Sequence, residues 1–440
     1  LGRELRWVAD AAPAWSAVVD VITGRLLATN GSSGILEYDG TSLRRLTADY
    51  RTAQARQYVG ALADALGLDA NSVAVNPTAL LSRHVPQGAF IAQHQTRLFV
   101  AGDPSFPYIV RWSAPGGLNN VWPLAYEDMI RDQEGDGIVG MAGLDERLVI
   151  FTPTALHEAI GPDQNGRYSF APLTRGIGFV AHQAVCVVSS AEGPSRLTGI
   201  SSDGIYAWAG GEPVPILDRW DRLLEGGVNG DRLRFAVACA APQASLAFFA
   251  VPSRGSKTND RVLVLDTMRG RWWVWSAPFG VSSMAVDYDG DGRERVLFGT
   301  NDGFIATPAD AETDDGQAIN AHAVTLPVQP FGGAEGGLSG VSFTARTLGA
   351  TETVTLYVLG GEDEGEPLSE GPVSVDRGDA TWGSGVWNTA KWSSGAWKTI
   401  RENVPNYVRA HMLQVKIASA ARWVAGRIEL LIRPRSRSGR

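Results

Sequence analysis

Six times along the chain a polar or Gly-rich turn leads into a short run where apolar residues dominate or alternate. Another turn then closes the run. The clearest copies surround Gly34 (TNGSSGILEYDG), Gly204 (SSDGIYAWAGG) and Gly303 (GTNDGFIATP). Looser copies start at Pro107 (PYIVRWS), Thr154 (TALHEAIG) and Asp260 (DRVLVLD). Runs this short, bounded by Gly, Asn and Asp, predict β-strands rather than helices. The copies recur at steps of about 40 to 75 residues, most of them near the period expected of propeller blades. Each blade is one four-stranded antiparallel sheet.

One segment breaks the pattern. Between Tyr50 and Leu68 the apolar period changes, and Tyr58, Leu62, Ala65 and Leu66 fall on one helical face. A helix inserted in the first blade at about 50–68 explains the long first step of the repeat. Asn76-Pro77 and Val85-Pro86 mark the loop before the second blade.

Near Asp310 the composition turns acidic and polar, and the strand runs beyond it differ from the repeat. The chain therefore reads as all-β: a six-bladed β-propeller over 1–310 and a small β-sandwich-like domain over 311–440. The second domain carries a charged Gly/Glu loop at 360–371 and ends in an Arg-rich tail. That tail reads either as a solvated end or as a basic arm for an acidic partner or DNA.

Net charge changes the functional picture. At −8 it argues against a dedicated nucleic-acid binder, which needs clustered Lys and Arg for phosphates. It leaves room for a surface past which DNA slides. Cys186 and Cys239 each lie in an apolar run and read as buried free thiols. No stretch is long enough for a transmembrane helix, so stable membrane insertion is not expected. The chain opens at Leu1 without Met, so an upstream segment is expected to have preceded it, and no signal peptide is legible.

Two constellations could carry chemistry. Asp287, Asp289 and Asp291 alternate on a Gly-rich turn and could converge on calcium. The distal Glu of a full calcium loop is missing, and an Asp-Gly hairpin turn explains the same residues. Asp132, Glu134 and Asp136 form a weaker copy. The second is a tryptophan repeat: Trp382, Trp387, Trp392 and Trp397 recur every fifth residue, with small polar residues between them. Such faces serve either as a stacked aromatic spine in the domain or in a seam between subunits, or as an exposed platform for sugar or lipid.

Searches for an active site fail, so no enzyme and no required cofactor is expected. His157-Glu158 lacks the second His of a metalloprotease helix. Gly255-Ser256-Lys257-Thr258 lacks the first Gly of a P-loop, with Ala250 in its place. The six histidines show no metal-ligand spacing. The turn at Ser201–Trp208 is similar to the Asp-box of sialidase propellers, a feature that is structural even when perfect.

A family resemblance covers about residues 25 to 310. It is carried by RLFVAGDP from Arg97, RWSAPG from Arg111, RGIGFVA from Arg175 and ISSDGIY from Ile200. GGEPVPI from Gly210, DTMRGRWW from Asp266 and FGTNDG from Phe298 continue it. Together these motifs resemble the tail nozzle, also called tail tubular or packaged-DNA stabilisation protein, of short-tailed bacteriophages. The resemblance implies a structural virion protein, assembled in the host cytoplasm and resident in the phage tail. It implies a homohexameric ring below the portal and adaptor, meeting tail fibre or tip proteins, that retains the packaged genome and conducts it during ejection. Double-stranded DNA would pass without sequence specificity. Two other readings stay open: a carbohydrate-binding or receptor-binding propeller, and a head-completion stopper or distal-tail protein of another tailed phage.

Overall fold

The computed structural model describes residues 15–308 apart from 33, 69–79, 131–135 and 191–192. Beyond these it describes the segments 313–314, 317–318, 321–325, 328, 336–347, 352–360, 367–375, 398–403, 409–410, 413–419 and 423–433. The four tryptophans Trp382, Trp387, Trp392 and Trp397, the tail after Arg433, and most of the acidic turn at 132–136 lie outside the described residues. The chain divides into two compact units, Leu1–Pro308 and Ala309–Arg440.

The first unit is a β-propeller whose sheets follow one another along the chain. Blade 1 comprises β1 (Ser16–Val19), β2 (Leu26–Thr29), β3 (Leu36–Tyr38) and β4 (Leu43–Arg45). Helix α1 (Ala53–Ala65) follows its last strand. Blade 2 comprises β5 (Phe90–His94), β6 (Arg97–Ala101), β7 (Ile109–Trp112) and β8 (Glu127–Met129). Blade 3 comprises β9 (Gly140–Leu144), β10 (Arg147–Phe151), β11 (Ala155–Ile160) and β12 (Ser169–Arg175). Blade 4 comprises β13 (Val185–Ser190), β14 (Gly193–Ile200), β15 (Ile205–Trp208) and β16 (Val214–Leu217).

The last two blades share a strand. β17 (Val237–Ala241), β18 (Leu246–Val251), β19 (Asn259–Asp266), β20 (Arg271–Tyr288), β21 (Glu294–Thr300) and β22 (Ile305–Ala306) form one six-stranded sheet. The first part of β20 pairs with β19, and the part after Val281 pairs with β21. The sequence suggests two separate strands here, around Trp272 and around Met284. They run on as one strand through Pro278 and Gly280 (φ +62°), where the pairing passes from β19 to β21. Blade 6 thus consists of the end of β20, β21 and the two-residue β22.

All six copies of the sequence device land at the same place. They form the third strand of each blade and the turn before it: β3, β7, β11, β15, β19 and β22. Glycine is required at two of these turns for different reasons. Gly303 has φ +86°, a conformation that side chains resist. At Gly204 a Cβ would lie 2.0 Å from the Leu217 carbonyl oxygen on the next strand. Tyr206 Oη donates to Asp203 Oδ2 at 2.8 Å and pins that same turn.

Alternating strands bury one apolar face against the blade before and the other against the blade after. Leu27, Ile91, Leu98 and Val100 fill the seam between blades 1 and 2. Phe99, Trp112, Met141 and Ile150 fill the next, and Phe151, Phe179, Tyr206 and Trp208 the third. Ile205, Phe249, Val251 and Leu263 join blades 4 and 5. Phe248, Val262 and Val264 meet Val281 and Phe298 between blades 5 and 6. Each large apolar side chain removed from water in such a seam contributes about 1.5–3 kcal/mol.

Helix α1 is shorter than the 50–68 span, for local reasons. Thr52 accepts the Ala55 amide at 3.1 Å as N-cap. At the other end Gly67 (φ +67°) stops it: its amide bonds the Asp64 carbonyl and the Leu68 amide bonds that of Ala63. The buried face is Ala55, Val59, Leu62 and Ala63, packed on Leu81, Ala114, Leu118 and Val121. Of the four positions expected, Leu62 is buried and Tyr58 is partly so, while Ala65 and Leu66 are exposed.

The second unit is a β-sandwich. One sheet orders 321–324, 413–419, 352–360 and 369–375; in the other, 398–403 and 423–433 flank 336–347, which also pairs with 409–410. Val341 and Phe343 of one sheet meet Val354, Leu356, Val415 and Ile417 of the other across the core.

Candidate functional site

The structure does not bring the three aspartates together. Asp287, near the end of β20, pairs with Arg295 at 2.6 Å, which holds its carboxyl below the usual range. Asp289 accepts the amides of Asp291 and Arg293 at 2.9 and 2.8 Å, so its carboxylate shapes the hairpin turn from β20 to β21. Among the described residues no group of three or more His, Cys, Asp or Glu side chains is arranged to hold a metal ion. No described helix is long and apolar enough to cross a membrane.

The blades meet at a polar hub that the sequence did not mark. His182, in the 3-10 turn before blade 4, accepts the Met141 amide at Nδ1 (3.3 Å). The proton therefore sits on Nε2, which faces Ser16 Oγ at 2.8 Å. Ser16 Oγ also exchanges hydrogen bonds with Ile91 backbone groups. Gln183 Nε2 donates to the Trp15 carbonyl at 2.8 Å, and Phe90 packs on the His182 ring with centroids 5.4 Å apart. A Cβ on Gly140 would lie 2.7 Å from His182 Cα, so glycine is what lets the chains approach. Blades 1, 2 and 3 thus converge on this turn, which also borders β17 of blade 5. Burial pushes the His182 imidazole down to about 4 and keeps it neutral.

A second polar knot stands beside it. Asp20 is buried and accepts from Thr23 Oγ1, the Ile22 amide, Gln93 Nε2 and Asn119 Nδ2. Burial pushes its pKa up, but these four bonds outweigh that and leave it below the usual value. A cavity of about 500 Å³ opens among Gln93, His94, Gln95, Asp145 and Glu146. It contains no nucleophile and base in hydrogen-bond reach of each other among the described side chains.

The surface features that stand out are apolar. On the outward face of blade 1 Val19, Leu26, Tyr38 and Leu43 are directly paired across all four strands. They are 54, 40, 39 and 55% exposed. Ala17, Ala28, Leu36 and Arg45 form the adjoining row on that face. At the other end of the array Phe304 and Ile305 are 73 and 74% exposed. Trp273 and Trp275 on β20 also stand half-exposed, because three-stranded blade 6 stops short of the outermost strand of blade 5. A legible signal existed at Val18-Val19 and Leu26-Leu27, where adjacent apolar residues imply a strand covered on both faces.

The remaining candidates are structural. Cys186 and Cys239 are free thiols, with Cys239 pushed up to about 12 by burial and Cys186 raised further. His157 is buried on β11. Gly255–Thr258 is the turn between β18 and β19.

No family model matches the chain, and no curated sequence matches it. Solved structures similar to it include BBS1N in complex with ARL6DN, at 14% identity over 68% of this chain and 80% of that one, with TM-score 0.41. Kluyveromyces lactis Hsv2 is 9% identical over 68% and 77% of the two chains, with TM-score 0.36. Cobalt-substituted Synechocystis ACO is 12% identical over 65% and 66%, with TM-score 0.33. Similarity this low carries no inference about what this chain does.

Proposed function

We propose that the chain is a non-enzymatic structural subunit of a phage tail: a nozzle protein that assembles into a homohexameric ring below the portal and adaptor, retains packaged DNA and conducts it at ejection. The observation that carries the assembly step is the uncovered apolar face of blade 1, a sheet face of the kind that proteins bury against a partner. The phage assignment rests on the motif resemblance between residues 25 and 310.

The contacts that join blades 1, 2 and 3 around His182 favour a ring of copies over a conduit through one propeller. A duplex cannot pass where Ser16, Phe90 and His182 touch. A DNA channel therefore belongs on the axis of a ring of copies. The mild negative charge suits its wall, because clustered Lys and Arg would hold phosphates instead of releasing them. Calcium at Asp287, Asp289 and Asp291 plays no part in this reading. Residence in the virion tail follows from the same assignment.

Sizing of the purified chain by native mass tests the proposal. A hexamer is expected. A 47.0 kDa monomer that is depleted by immobilised sugars would support the carbohydrate-binding alternative instead.

A further inference from the structure

We propose that the outward face of blade 1 docks on blade 6 of the next copy of this chain, so that copies join head to tail. This rests on the ring reading above and specifies which surfaces make the ring.

The two rows on the blade 1 face comprise Val19, Leu26, Tyr38, Leu43, Ala17, Ala28, Leu36 and Arg45, all apolar but the last. Between consecutive blades such faces lie against one another in apolar seams. Among the described residues none of Val19, Leu26, Tyr38 and Leu43 belongs to a buried cluster. The natural cover for a blade face is another blade face.

Blade 6 offers one. Met284, Val286 and Phe298 turn toward blade 5, so Ala285, Leu297 and Ile305 occupy its opposite face. Its last strand is two residues long and leaves an open edge beside Phe304. Charge fits as well. Arg45 is the lone charge on the blade 1 face and has no carboxylate partner among the described residues. The blade 6 segment 281–306 carries Asp287, Asp289, Asp291, Glu294 and Asp302 against only Arg293 and Arg295. The patches differ, so the contact is heterologous and repeats from copy to copy until it closes.

The test uses the full chain as two single variants, Leu26→Cys and Ile305→Cys, mixed and treated with a short bismaleimide. The unsubstituted chain, with buried Cys239 and partly buried Cys186, is treated alongside as the control. Expected is a covalent dimer in the mixture only, and a ladder up to the ring size when both cysteines are on one chain. A double variant that links only within its own chain overturns the proposal, because blade 6 then closes on its own blade 1. Native rings that form without this cross-link also overturn it, while leaving the ring itself standing. Native mass showing no ring at all removes the ring reading and this contact with it. Leu26→Asp is the second probe: roughly tenfold weaker assembly or more with unchanged thermal unfolding is expected. Unweakened assembly contradicts the contact.

Discussion

His182 is the residue on which the hub's pH response turns. Its folded-state pKa, about 4, lies below the ordinary 6.5. Below pH 6.5 the unfolded chain takes up a proton that the folded hub refuses. Stability therefore falls as pH drops from about 6.5 to about 4, by up to ~1.4 kcal/mol per pH unit. Asp20 acts in the same direction further down: its depressed pKa adds stability above 3.8 that is lost on stronger acidification. Urea unfolding across pH 4–7 checks this, and His182→Gln should flatten the slope. An unchanged slope in the variant would place the sensitivity elsewhere. Neither residue was legible, because their partners lie far away in sequence: Ser16 is 166 positions from His182, and Asn119 is 99 from Asp20. A histidine without ligand spacing looks the same in a hub as on a surface. The aspartates at 287–291 stayed ambiguous in the sequence for the opposite reason. Their spacing is shared by cation loops and by hairpin turns, and only the direction of the carboxylates separates the two.

Elements were easier to foresee than their boundaries. The third strand of every blade showed in the sequence because its turn needs Gly, Asn or Asp and its body needs apolar side chains. The same turns give a graded prediction. Gly204→Ala drives a Cβ against the Leu217 carbonyl and should cost about 1–3 kcal/mol. Gly303→Ala meets open space and bears only the φ penalty, about 1 kcal/mol. Thermal unfolding of both variants checks the order, and an equal or reversed order would contradict it. Removing the α1 cap with Thr52→Ala should cost about 1 kcal/mol, measured the same way. The buried face of α1 was misread because its partner is a shallow loop around Ala114 and Leu118. That loop selects small residues such as Ala55 and Ala63, which periodicity alone does not rank. The fusion of blades 5 and 6 through β20 depends on pairing choices that the local pattern leaves open.

On the scale of the molecule, the sequence reveals an array of blades, and the folded chain shows where the array leaves apolar surface open. Its ends expose Val19, Leu26, Tyr38 and Leu43 on one side and Phe304 and Ile305 on the other. In the proposed ring, the DNA path lies between copies. Electron microscopy of the purified full chain tests this most directly. The account predicts class averages with six-fold symmetry, six propellers and a central hole whose wall lacks clustered Lys and Arg. Isolated single propellers at every concentration, or a ring lined continuously with basic side chains, would contradict it.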